Sequence, residues 1–261
     1  MNNTVPEPIF VYIEGTCAVG KTTTMRKMQQ LYKRNFNISD YVSVYENMNF
    51  TGDAVRYQNT INHLCTVDDS YFCTIDGCAG RPDLKYFLYG DAYAEVQRNV
   101  IINYYSHPDD YRIDDNKYMN VFVFDRNYSF CCYVYPLIFE YIYRYPDDYE
   151  LDGGLNSKML PYLDSIGKFV IGNYRNTRCI MVINKLTTTV TKMRERNFFD
   201  VVGRSDAEIQ RYVNLQNIFF TYIYENFMNK AICRLIFVYD DCYSTLEQTI
   251  LQYIADITLS A

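Results

Sequence analysis

The chain has 261 residues, 49% of them hydrophobic, and 31 acidic against 25 basic side chains give it a net charge of −6 and a pI near 5.0. That is enough apolar material for an α/β domain with both sheet faces covered, and we expect a single domain over residues 1–261. The acidic balance argues against a sequence-independent nucleic-acid binder, which needs a basic face, but not against a small anionic ligand met by a few local cations.

The first apolar run, Ile9 to Ile13, leads into Gly15-Thr16-Cys17-Ala18-Val19-Gly20-Lys21-Thr22, then Thr23 and a stretch of helical spacing from Met25 to Leu31 without Gly or Pro. Strand, Gly-x-x-x-x-Gly-Lys-Thr and helix together make the phosphate-binding P-loop pattern. Gly15 and Gly20 allow positive φ, so successive backbone N–H groups can close around phosphate oxygens, and the helix starting near Lys21 adds the positive end of its dipole. Lys21 would reach the β- and γ-phosphates, and Thr22 would offer its hydroxyl to Mg²⁺. The alternative, a glycine-rich turn that binds nothing, leaves Lys-Thr after the second glycine without a packing reason. The implied ligand is a nucleoside triphosphate.

A second short run, Val42 to Tyr45, ends at Glu46. The long segment after it contains His63, Cys65, Cys73 and Cys78, whose spacing fits no standard zinc pattern, and a candidate helix from Tyr93 to Tyr105 carrying Gln97. The third run, Val121 to Phe124, ends at Asp125-Arg126. Tyr128 to Tyr143 is strongly apolar but short, and it includes Pro136 and Glu140, so we read a buried helix rather than a membrane span. Asp147 to Gly154 reads as a loop. Two more runs follow, Cys179 to Ile183 before Asn184-Lys185, and Leu235 to Tyr239, with a basic segment holding Lys192, Arg194 and Arg196 between them. Nearly continuous apolar runs alternating with helices predict a five-stranded parallel sheet covered on both faces, with ligands beyond the strands' carboxyl ends.

Residues 1–8 carry neither a basic patch nor a long apolar stretch, and the nine cysteines are odd in number with no Cys-x-x-Cys. Reduced thiols in a cytoplasmic or nuclear compartment are the expectation.

At the strand ends, Glu46 is placed to accept a proton from an attacking hydroxyl, and a solvated strand-end glutamate is the alternative. Asp125 could reach Mg²⁺ through water, while Arg126 could pair with Glu46 or with a phosphoryl group. The basic segment could close over the phosphates as a lid at about 190–204, or be a plain solvated helix face.

Taken in order, Gly15 to Thr24, Glu46 with Met48 and Phe50, Gln97, Asp125-Arg126, Tyr135-Pro136, and Arg194 with Arg196 resemble the herpesvirus-type thymidine kinases and related cellular deoxynucleoside kinases. The resemblance covers roughly residues 8 to 240. It implies an α/β P-loop kinase that moves the γ-phosphate of ATP to the 5′-hydroxyl of a deoxynucleoside, thymidine first, with Mg²⁺ at Thr22 and Asp125 and a homodimer as the working form. Neither nucleic acid nor membrane is an implied partner. By the same resemblance Gly15 to Thr23 hold ATP, Glu46 is the base, and Arg126 positions it. Gln97 meets the pyrimidine edge, Tyr135 stacks on the base, Val100 forms the other side of that slot, and Tyr57 meets the sugar 3′-hydroxyl. Arg194 and Arg196 contact the phosphates. The family's Glu-Pro is Glu46-Asn47 here, and its Trp is Phe50. Two alternatives remain: a nucleoside monophosphate kinase using Arg56, Arg81 and Arg98 for the acceptor phosphate, and an inactive relative that acts as an interaction protein.

Overall fold

Strands that carry apolar side chains on both faces must be covered on both faces, and that requirement organises this molecule. The computed structural model describes residues 5–32, 37–39, 97–98, 100–114, 117–118, 120–148, 155–173, 175, 177–196, 203–240 and 243–259. In chain order these give β1 (Ile9–Gly15), α1 (Lys21–Tyr32), β2 (Asn37–Ser39), and helical residues within 97–106, called α2. A 3₁₀ turn at Pro108–Tyr111 and a two-stranded hairpin, β3 (Arg112–Asp114) with β4 (Lys117–Tyr118), precede β5 (Val121–Asp125). Then come α3 (Tyr128–Arg144), α4 (Leu160–Asn173), β6 (Cys179–Asn184), α5 (Thr189–Arg196), α6 (Asp206–Asn226), β7 (Cys233–Val238) and α7 (Tyr243–Leu259).

The main sheet is parallel, in the order β2-β5-β1-β6-β7. Four of its strands fall where the apolar runs predict them, with the last running from Cys233 to Val238 rather than from Leu235 to Tyr239. The expected second strand, Val42 to Tyr45, lies outside the described residues; the edge strand that is described, Asn37–Ser39, is only three residues long and pairs with β5. Every residue of β5 and β6 is buried.

Alternation along β6 divides the core. Cys179, Met181 and Ile183 join one cluster with Phe130, Ile138, Leu163, Phe219 and Phe220 from α3, α4 and α6. Ile180 and Val182 join the other, with Met25 and Met28 of α1 and Leu246 and Ile250 of α7. A third, smaller cluster packs Val100 and Tyr104 of α2 on Phe122 and Phe124. The apolar segment read as buried is α3, and among the described residues no helix is long and apolar enough to cross a membrane.

The start of α6 is fixed by a reciprocal cap: Ser205 Oγ accepts from Glu208 N at 3.3 Å, while Ser205 N donates to Glu208 Oε2 at 2.7 Å. Because the long strands are parallel, their carboxyl ends meet at one edge. That edge gathers Gly15, Asp125 and Asn184.

Candidate active site

The turn after β1 is shaped by backbone contact before any ligand is considered. Gly15 sits at φ 115°, and a Cβ there would lie 2.2 Å from the Val182 carbonyl oxygen. Thr16 N donates to that same oxygen at 2.9 Å, so the loop is stitched to β6. Ala18 (φ 59°) and Gly20 (φ 78°) also adopt the left-handed region, which curls the chain into the start of α1. Lys21 Nζ donates to Gly15 O at 2.9 Å and Thr16 O at 2.5 Å. Burial pulls its pKa from 10.5 down to about 7; the Arg126 charge adds to this, and Asp125 and Glu14 oppose it. An anion arriving at the loop would restore the lysine's charge.

Thr22 Oγ1 donates to Asp125 Oδ2, while Asp125 Oδ1 is buried without a hydrogen-bond partner. A hydroxyl and a carboxylate with one unsatisfied oxygen fit a Mg²⁺ that draws its remaining ligands from water and phosphate. Buried carboxylate oxygens are as a rule paired, and the other oxygen of this carboxylate is bonded to Thr22 at the end of the phosphate loop.

Arg126, next in the chain, has φ 73°, a costly conformation for a non-glycine residue that its surroundings impose. Its N–H donates to Ile13 O at 3.0 Å, and its carbonyl accepts from Gln97 Nε2 at 3.0 Å. The guanidinium bonds the Tyr135 hydroxyl, lies 5.1 Å from that ring's centroid, and stands 3.5 Å from Glu14 Oε1. Glu14 is wholly buried; its oxygens accept from Gly15 N at 3.0 Å and Asn127 N at 2.9 Å. Desolvation raises the Glu14 pKa, with Arg126 and Lys21 pulling it back.

Below the loop runs a second polar layer. Thr16 Oγ1 donates to Asn217 Oδ1 at 2.6 Å, Cys17 N to Gln216 Oε1 at 2.9 Å, and Asn184 Nδ2 to Cys17 O at 2.9 Å. Asn184 Oδ1 also accepts from Leu186 N and from Thr189 Oγ1, both at 2.9 Å, and Asn217 Nδ2 donates to Asn184 O at 2.8 Å. One side chain, Asn184, therefore touches both the phosphate loop and the first turn of α5.

Residues 18–24, Lys27, Arg126, Lys192 and Glu247 line a cavity of about 560 Å³, within the range of small-molecule sites. A cationic cleft with backbone N–H groups at a helix N-terminus can hold a polyphosphate. No protein-family model matches the chain, and no curated protein is similar to it in sequence. Among solved structures, it is similar to a deoxyadenosine kinase from M. mycoides with dCMP and dCDP bound, at 11% identity and TM-score 0.48 over 95% of this chain and 100% of the other. The same kinase with bound dATP gives 12% identity and TM-score 0.41 over 95% and 100%. A thymidylate kinase from Candida albicans gives 13% identity and TM-score 0.44 over 97% and 93%.

The structure gathers the phosphate-loop residues Gly15 to Thr23, Asp125 and Arg126 around one point, with Gln97 joined to them through the Arg126 carbonyl. Tyr135 departs from expectation. Its ring is fully buried, set edge-on to Phe220 with Arg126 near its face, and its hydroxyl donates to Gly15 O at 3.0 Å, so it braces the loop rather than presenting a face for stacking. Val100 is taken up by the apolar cluster under α2. Arg194 is bonded to Asp206 Oδ1 at 2.8 Å and to the Arg204 carbonyl and does not line the cavity, whereas Lys192, among the described side chains of α5, does. Glu46, Tyr57 and the side chain of Arg196 lie outside the described residues. The sequence reading gave Glu14 and Asn184, both at strand ends, no role, and it missed Gln216 and Asn217. A polar residue ending an apolar strand was an available signal for Glu14, and Gln216 interrupts the buried stripe of Val213 and Phe220.

Proposed function

We propose that this chain is an ATP-dependent kinase that phosphorylates the 5′-hydroxyl of a deoxynucleoside, with thymidine as the first substrate to test. The observation that carries this reading is the convergence of Lys21, Thr22 and Arg126 on one cavity, with Asp125 bonded to Thr22 just behind its lining, because phosphoryl transfer needs positioned positive charge more than covalent chemistry. Thr22 and Asp125 would hold Mg²⁺, which when bound neutralises charge on the β- and γ-phosphates. Lys21 would leave its carbonyl partners for the phosphate oxygens, and backbone N–H groups from Ala18 to Thr22 would close around them. Arg126, fixed by Glu14 and Tyr135, would meet charge developing on the transferred group.

Glu14 is unsuited to act as the base, since both its oxygens are occupied by backbone donors behind the loop. Glu46 keeps that role in the proposal, and Gln97 keeps the pyrimidine edge on the strength of the motif order.

The test is a panel of thymidine, deoxycytidine, deoxyadenosine and thymidine monophosphate incubated with γ-labelled ATP and Mg²⁺. Label on thymidine is the expected outcome. Label confined to the monophosphate would make the chain a nucleoside monophosphate kinase, and no transfer combined with no thermal stabilisation by ATP and Mg²⁺ would sink the kinase reading.

A further inference from the structure

The cavity continues past the phosphate loop. From Thr22, Thr23 and Thr24 it follows α1 to Lys27 and reaches Glu247 on α7. Thr23 and Lys27 are four residues apart on one face of α1, which sets Lys27 about 6 Å farther along the helix axis. Arg126 and Lys21 mark one end of the cavity and the Lys27–Glu247 pair the other.

The charges differ between these ends. The lining holds four cations, Lys21, Lys27, Arg126 and Lys192, and one carboxylate, Glu247. The Glu247 side chain is only 15% exposed, and its Oε2 lies 2.6 Å from Lys27 Nζ. A carboxylate in a polyphosphate cleft opposes binding unless it meets hydrogen-bond donors beyond the phosphates. In a nucleoside triphosphate laid with its γ-phosphate at Lys21 and its α-phosphate near Thr23, the next group along is the sugar. Lys27 compensates the carboxylate's charge, and a carboxylate can accept more hydrogen bonds than the one this lysine takes.

We propose that Glu247 is a specificity-determining residue whose carboxylate accepts hydrogen bonds from the ribose hydroxyls of the phosphate donor, with Lys27 holding it in place. This rests on the reading that the donor is a nucleoside triphosphate. It gives a chain proposed to phosphorylate deoxynucleosides a way to tell donor from acceptor, because the donor alone carries both ribose hydroxyls.

The experiment measures equilibrium binding of ATP, 2′-deoxy-ATP, 2′,3′-dideoxy-ATP and inorganic tripolyphosphate to the full chain with Mg²⁺. The unaltered chain should bind ATP about tenfold more tightly than dideoxy-ATP, with 2′-deoxy-ATP between them. Glu247→Ala should bring the three nucleotides within about twofold of one another without weakening tripolyphosphate, and Glu247→Gln, which keeps one acceptor oxygen, should fall between. Equal binding of ATP and dideoxy-ATP by the unaltered chain, or an unchanged ratio in Glu247→Ala, overturns the inference while leaving the donor reading intact. If tripolyphosphate and all three nucleotides fail to bind, both are overturned. A pair that merely ties α1 to α7 would lower the melting temperature alike in Lys27→Met and Glu247→Ala and leave the ratio untouched.

Discussion

The floor beneath the phosphate loop and the helix α5 beside it both carry polar side chains, yet they are built in opposite ways. Glu14, Thr16, Asn184 and Gln216 are at most 3% exposed, and each bonds backbone or side chains of other elements. On the α5 side, the Arg194–Asp206 pair has side chains 42% and 75% exposed. A buried network fixes geometry before a ligand arrives and is costly to leave half-satisfied, whereas an exposed pair is worth at most about 1 kcal/mol. In this molecule, preorganisation belongs to the floor. On the helix beside it Thr189 and Met193 are buried, and only the outward-facing arginine sits in an exposed pair that can be exchanged at little cost.

The difference can be broken most severely at Lys21. Lys21→Met should lower ATP turnover by about 10² to 10³-fold, measured in steady-state kinetics. The same residue gives a pH signature. Its pKa lies near 7 in the ligand-free fold against 10.5 in an unfolded chain, so phosphate binding above about pH 7 must take up a proton. ATP affinity should then fall by up to about tenfold per pH unit above 7, and this dependence should vanish in Lys21→Met. Stability without ligand should move the other way, rising as pH climbs from about 7 toward 10.5, because there the unfolded chain binds more protons than the folded one.

Glu14→Gln sharpens the comparison. It preserves shape and removes the charge facing Arg126, and turnover should drop by about 10- to 100-fold. Because glutamine keeps one acceptor oxygen for two backbone donors and leaves Arg126 without its carboxylate, urea unfolding should shift as well, by about 3 kcal/mol. A large stability loss with near-normal turnover would make Glu14 a structural residue only. The smallest effects belong to α5. Lys192→Ala should raise the KM for ATP by about tenfold, while Arg194→Ala should change kcat/KM by less than about threefold and stability by less than about 1 kcal/mol. Equal effects from the two would erase the distinction between cavity-lining and outward-facing cations on this helix.

How far each part was legible follows from how local its cause is. The phosphate loop could be read because its glycines, lysine and threonine act within a single turn. Asp125 and Arg126 could be read because a parallel sheet collects strand ends. Tyr135 was misread because spacing from Arg126 fixes its position on α3 but not what its ring meets, which depends on Phe220 from a distant helix. For the basic segment, sequence left a lid and a solvated face both open, because residues two apart on a helix point to different faces: Lys192 lines the cavity while Arg194 pairs with Asp206. Asn217 was beyond reach because its partners, Thr16 and Asn184, come from two separate strand ends.

Gly15 carries a consequence for how variation in this loop should be interpreted. With the Val182 carbonyl 2.2 Å from where a Cβ would sit, the position is closed by the sheet itself and not by a nucleotide. A library of variants selected only for folding, with no nucleotide present, should reject every side chain at position 15, while Lys21 should accept an uncharged replacement. Intolerance common to both selections would mark architecture, and intolerance that appears only under selection for turnover would mark chemistry.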